Sequence, residues 1–139
     1  MKFLKTLFLC SGFLFMFPSF AELSADELLK NYIMPQGYSE ERQTIAHALI
    51  EKNIGVVIDV RTKEEFDEGH IEGAINIDSV TFTTDKLSEY VKDKQTPILL
   101  YCRSGRRATG IGQALARDGY KYVLNFGGVN TWAYDLVTK

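Results

Sequence analysis

The stretch YCRSGRRATG places Cys102 immediately before Arg103, Ser104, Gly105, Arg106 and Arg107. A thiol attacks or carries sulfur as its thiolate, so its chemistry depends on whether its surroundings favour an anion. Three arginines lie within five positions of this cysteine. Gly105 permits the tight turn that points several backbone N–H groups inward. The residues RRATGIGQALARDGY carry Ala108, Ile111 and Leu115 at helical spacing. A helix amino terminus presents free N–H groups and a partial positive charge. Cys102 is therefore expected to have a depressed pKa and to be a competent nucleophile near neutral pH. The competing reading is a small buried thiol ending a strand beside solvated arginines, as most protein cysteines are. It does not account for a strand end, a glycine turn, a basic cluster and a helix start coinciding within six positions.

Asp59 and Arg61 flank Val60 at the carboxyl end of another apolar run, GVVIDV, and so reach the same rim. They suit substrate orientation or an ion pair bracing the loop, and the ion pair is the simpler assignment. His70 in GHIEG invites a catalytic-base role that an already ionised thiolate does not need, so it is assigned to the scaffold. His47 is assigned to the surface of a predicted helix. Trp132 is assigned to core packing on a helix face rather than to ligand stacking. Two histidines at spacings unrelated to the thiol predict no metal site. No cofactor is expected.

The elements that must position Cys102 follow from periodicity. Ser24 and Glu27 stand at capping-box spacing before Leu28 and Leu29, predicting a helix from Ala25 to Tyr32. Met34 to Ser39, with Pro and Gly, reads as a break, and Ser39 as the cap of a second helix carrying Ile45, Ala48 and Leu49. Four strands are predicted: Gly55 to Val60, Gly73 to Ile77, Thr96 to Cys102, and residues 121–126. A helical turn in TKEEFDEGH ends at Gly69. TTDKLSEYVKD reads as a helix with Leu87, Tyr90 and Val91 on one face, and GGVNTWAYDLV as a glycine turn and a last short helix. Strands alternate with helices, and strands that are apolar throughout are buried on both faces. The expected fold class is α/β, with a mostly parallel central sheet and helices on both faces. In such sheets ligands collect at the carboxyl ends of strands, where Cys102 stands.

The 139 residues suffice for one domain with a real core. Residues 1–21 are set apart. Lys2 and Lys5 precede an uncharged apolar run from Leu7 to Phe17, and PSFA follows with Ser19 and Ala21 at small-x-small spacing. This is the pattern of a secretory signal peptide. An apolar run of 11 residues is short for a membrane span of about 20. Cleavage after Ala21 is expected, giving an exported, periplasmic chain with no membrane anchor. Without Lys2 and Lys5, 14 basic residues face 18 acidic ones, which argues against a nucleic-acid partner. Cys10 is lost with the signal, leaving Cys102 as the sole thiol. The expected organisation is a signal peptide over 1–21, an N-terminal helical segment over 22–38 and a catalytic domain over 39–139.

IDVRTKEEFDEGHIEGAINI, YCRSGRRA and VLNFGGVNTW, in that order, resemble the signatures of the single-domain rhodaneses, a sulfurtransferase family. The similarity runs from about Ser39 to Val137 and is greatest to small exported bacterial members of the phage-shock type. The resemblance implies a rhodanese-like fold and a persulfide on Cys102, formed from thiosulfate or a related donor and passed to a thiophilic acceptor. Arg103, Ser104, Gly105, Arg106 and Arg107 would bind the donor, with Asp59 and Arg61 in support. Arg103 and Arg106 are the candidates for setting donor preference. A persulfide carrier serving a thiol-bearing protein, or a binding module, is the alternative. The same fold carries phosphatases and arsenate reductases whose loop is Cys-x5-Arg. Here the sixth position after Cys102 is Ala108, Arg107 is the fifth, and Tyr101 rather than His precedes the cysteine. The loop is one residue short of that pattern, which favours sulfur over phosphorus.

Overall fold

The structure, a computed structural model, describes residues 23–139. The signal-peptide reading of residues 1–21 lies outside them. Five parallel strands form one sheet in the order β1-β5-β4-β2-β3: β1 Gly37–Glu40, β2 Val56–Asp59, β3 Ile75–Asn76, β4 Ile98–Cys102 and β5 Tyr122–Gly128. The helices are α1 Ala25–Leu29, α2 Gln43–Glu51, α3 Lys63–Glu68, α4 Thr84–Ser88 and α5 Arg106–Arg117. The expected capping box closes α1: Ser24 Oγ accepts from the Glu27 N–H and the Glu27 carboxylate accepts from the Ser24 N–H.

β4 explains the two-sided burial. All five of its residues are buried, and alternate side chains point to opposite faces. Ile98, Leu100 and Cys102 join Ile58, Leu87, Val91, Ala108 and Leu115 in one core layer, on the side of α4 and α5. Leu99 and Tyr101 join Ile45, Leu49, Leu124 and Phe126 in the other, on the side of α2, with Leu28, Leu29, Tyr32 and Met34 packed against it.

Three elements depart from expectation. Met34 to Ser39 is not simply a break, because Gly37 to Glu40 pair with Tyr122 to Asn125 as β1. Ser39 therefore lies in a strand, and α2 starts only after Arg42, which makes no side-chain cap. A strand of four residues, three half-buried and one exposed, has too few apolar positions to show a period. GGVNTWAYDLV forms no helix. Gly127 and Gly128 complete β5, and the tail returns to make an antiparallel bridge between Val137 and His70. Tyr90 is about half exposed, while Leu87 and Val91 face the core, because α4 ends at Ser88.

Candidate active site

β4 delivers Cys102 to the carboxyl edge of the sheet. The β4–β5 register shifts between Leu100 and Cys102, so Cys102 lies opposite Gly128. Such an irregularity re-aims a side chain at a strand end. Cys102 is 1% exposed and is the free cysteine among the described residues. The Gly105 N–H donates to its Sγ at 3.0 Å. Burial pushes the thiol pKa up and is the largest single influence on it. The backbone N–H groups of Ala108, Ser104, Gly105 and Arg107 oppose burial together, and the net shift is downward. Backbone dipoles at the start of α5, rather than a general base, favour the thiolate.

The curvature of the loop depends on two close approaches. Gly105, the N-cap of α5, has φ +98°, in the left-handed region. A Cβ there would lie 2.9 Å from Gly127 Cα. A Cβ on Gly128 would overlap the Arg103 carbonyl. Beyond β5, the N–H groups of Val129 and Asn130 donate to the Cys102 and Arg103 carbonyls, each at 3.1 Å.

Sequence reasoning missed the side chains that hold this turn. Asn125 is 3% exposed; its Nδ2 donates to the Gly105 carbonyl at 3.0 Å and its Oδ1 accepts from the Gly127 N–H at 3.0 Å. Thr109 Oγ1 donates to the same Gly105 carbonyl at 3.0 Å, and Asn125 also reaches the Tyr38 hydroxyl of β1. Gln43 Nε2 donates to the Phe126 and Gly128 carbonyls. One signal was available for Asn125: a single amide in the apolar run KYVLNF must find partners once buried.

The charged candidates have different surroundings. Arg103, Ser104 and Arg106 are exposed on the loop. Arg103 lines a cleft of about 330 Å³ with Arg61, Glu65 and Glu68, and Arg106 lines one of about 390 Å³ with Glu40, Glu41 and Ser104. Arg107 instead pairs end-on with Glu65 of α3, at 2.8 and 3.0 Å. The Arg107 guanidinium holds the Glu65 carboxyl down at about 2 against the opposing effect of burial. Glu65 raises Arg107 in turn, and the Cys102 sulfur adds to that rise. Asp59 and Arg61 form a buried fork, with Arg61 Nη2 2.7 Å from Asp59 Oδ2 and 2.6 Å from the Gly69 carbonyl. The segment this pair braces is the one that follows β2, rather than the cysteine loop.

His70 is buried, stacked on Phe66, with Nδ1 2.8 Å from the Phe66 carbonyl, a scaffold position. Tyr101 points into the opposite core layer, where its hydroxyl accepts from the Ile71 N–H. His47 is half-buried and stacked on Tyr134 at 3.5 Å, so its ring is not free on the surface. Trp132 packs against Phe126 in a coil segment. Among the described residues no three His, Cys, Asp or Glu side chains are grouped to hold a metal ion.

Comparison with known proteins agrees with this geometry. Residues 42–135 match the rhodanese-like domain family. The chain is 33% identical over 98 residues to thiosulfate sulfurtransferase GlpE of Coxiella burnetii, covering 68% of this chain and 87% of the relative. It is 35% identical over 80 residues to thiosulfate sulfurtransferase PspE of Escherichia coli, covering 58% and 76%. Among solved structures, a rhodanese with anions from E. coli superposes with a TM-score of 0.56 at 32% identity, covering 61% of this chain and 99% of the other. A rhodanese-like domain protein from Staphylococcus aureus gives 0.63 at 25% identity, covering 73% and 98%. A cysteine loop at the carboxyl edge of a five-stranded parallel sheet, and these similarities, place the chain in the rhodanese-like domain family.

Proposed function

We propose that the protein is a sulfurtransferase that carries sulfane sulfur on Cys102 between a small donor and a thiophilic acceptor. The observation that carries this reading is a buried cysteine sulfur held at the start of α5, where the Gly105 N–H donates to it at 3.0 Å and the loop backbone lowers its pKa. The Cys102 thiolate attacks the outer sulfur of thiosulfate. The S–S bond of the donor breaks, and sulfite leaves with the bonding pair. The product is a cysteine persulfide whose terminal sulfur bears the negative charge. Cyanide, standing for the acceptor, attacks that sulfur, departs as thiocyanate and returns the electron pair to Cys102. One covalent intermediate links the two half-reactions, so the kinetics are ping-pong. The N–H groups of Ser104, Gly105, Arg107 and Ala108 hold the anionic sulfur, and the exposed Arg103 and Arg106 draw in the donor.

The export signal read from residues 1–21 puts this activity in the periplasm. No described helix is long and apolar enough to cross a membrane. Intact-mass spectrometry of the exported protein after thiosulfate treatment tests the whole reading. The expected species begins at Glu22 and carries one added sulfur, absent in Cys102→Ala. A thiosulfate-treated protein without the adduct overturns the mechanism, and a mass retaining residues 1–21 overturns the export.

A further inference from the structure

Arg107 differs from the other loop arginines. Among the described residues Arg103 and Arg106 have no ion-pair partner, whereas Nη1 and Nη2 of Arg107 both donate to the Glu65 carboxylate. Glu65 is itself fixed. Its carboxylate accepts from the Thr62 N–H at 3.0 Å, and its own N–H is capped by Thr62 Oγ1 at 3.2 Å. Glu65 also lines the 330 Å³ cleft that Arg103 and Glu68 share beside the loop. An arginine grips a tetrahedral oxyanion through the same end-on pair of N–H groups that Glu65 occupies here.

We infer that Glu65 is a specificity-determining residue: by occupying Arg107 it keeps oxyanions of the phosphate class out of the cysteine loop, leaving the N–H cradle for a single sulfur. The inference rests on the sulfur-transfer reading of Cys102 and adds a claim about anions that is tested separately. Phosphate, to sit in the cradle, would need the arginine that Glu65 holds. Thiosulfate offers its outer sulfur to the cradle and turns its oxygens outward, toward Arg103 and Arg106. The selectivity thus comes from a repulsive, occupying group as well as from attractive ones.

Inorganic phosphate is the probe, with two readouts. One is its inhibition constant against thiosulfate–cyanide transfer. The other is the concentration that half-protects Cys102 from iodoacetamide, which needs no turnover. Glu65→Gln removes the charge and keeps the size, and is expected to tighten phosphate in both readouts by about tenfold, the effect of one freed charge-assisted contact. Thiosulfate KM should change much less. Glu65→Asp, a milder change that keeps the carboxylate but shortens its reach by one methylene, should fall between Gln and wild type. Glu65→Gln combined with Arg107→Gln should return phosphate to the wild-type level. Unchanged phosphate affinity in the single variants overturns the inference. So does a gain that survives loss of Arg107, or an equal fall in thiosulfate KM. Were wild-type transfer absent, the protection readout would still decide the role of Glu65, so the two claims fail separately.

Discussion

At the scale of single residues, Cys102 is a contest between burial and hydrogen bonding. A thiol that is 1% exposed would ordinarily be inert, because desolvation disfavours its anion. The backbone N–H groups of the loop, with that of Gly105 3.0 Å from the sulfur, reverse the sign, and the pKa falls below the free-thiol value of 9.0. The reactive form is the deprotonated one, so a lowered pKa moves the onset of reactivity to lower pH. Iodoacetamide modification should rise with pH and level off below the range in which a free thiol does. A midpoint at or above 9.0 would show that burial wins. Residue type and spacing alone made this reading accessible. They did not show how the three arginines divide. Arg107 is paired and Arg103 and Arg106 are not, because the pairing depends on α3, whose Glu65 lies 42 residues earlier in the chain. Thr62 and Glu65 close a local capping box on α3, but the partner of Glu65 across the molecule carries no local signal.

At the scale of elements, the loop exists because β5 runs close behind it. Gly105 faces Gly127 with no room for a Cβ between them, and Asn125 ties the Gly105 carbonyl to the Gly127 N–H. Gly105→Ala meets two obstacles. A left-handed conformation costs an L-residue roughly 1–2 kcal/mol, and the new Cβ has no room against Gly127. The expected outcome is a lower denaturant midpoint together with a higher Cys102 pKa, since the N–H groups would no longer converge. Denaturation and thiol titration on the same variant check both; a shifted midpoint with an unchanged pKa would mean that the turn survives. The strands bearing this arrangement were legible wherever burial was two-sided, as in GVVIDV and TPILLYC. β1 was not legible, because an edge strand of four residues, three half-buried and one exposed, lacks both an apolar run and an alternation. The absent last helix has a parallel cause. Gly127 and Gly128 are spent on packing β5 beside the loop, and the tail that follows is held by its bridge to His70.

At the scale of the molecule, the N-terminal segment joins the edge of the sheet to the chemistry. α1 and the residues after it bring Leu28, Leu29, Tyr32 and Met34 onto the core layer that includes α2, and the Tyr32 hydroxyl donates to Glu41 at 2.8 Å. β1 then places Tyr38 where its hydroxyl accepts from Asn125 at 3.1 Å and its ring fills the space over Gly112. These contacts have different reach. α1 packs on the core layer opposite Cys102, whereas β1 touches the network that fixes Gly105. Two truncations should therefore behave differently. Beginning the chain at Gln36 removes α1 and its apolar cover, a loss on the order of 3 kcal/mol, with the thiol pKa little changed. Beginning it at Glu41 also strips β1 from the edge of β5 and removes Tyr38, so stability falls further and the Cys102 pKa rises toward that of a free thiol. Calorimetry and pH-dependent alkylation on both proteins separate the cases. If the shorter chain keeps a depressed thiol pKa, then Asn125 and Thr109 hold the loop without Tyr38, and β1 serves only the sheet.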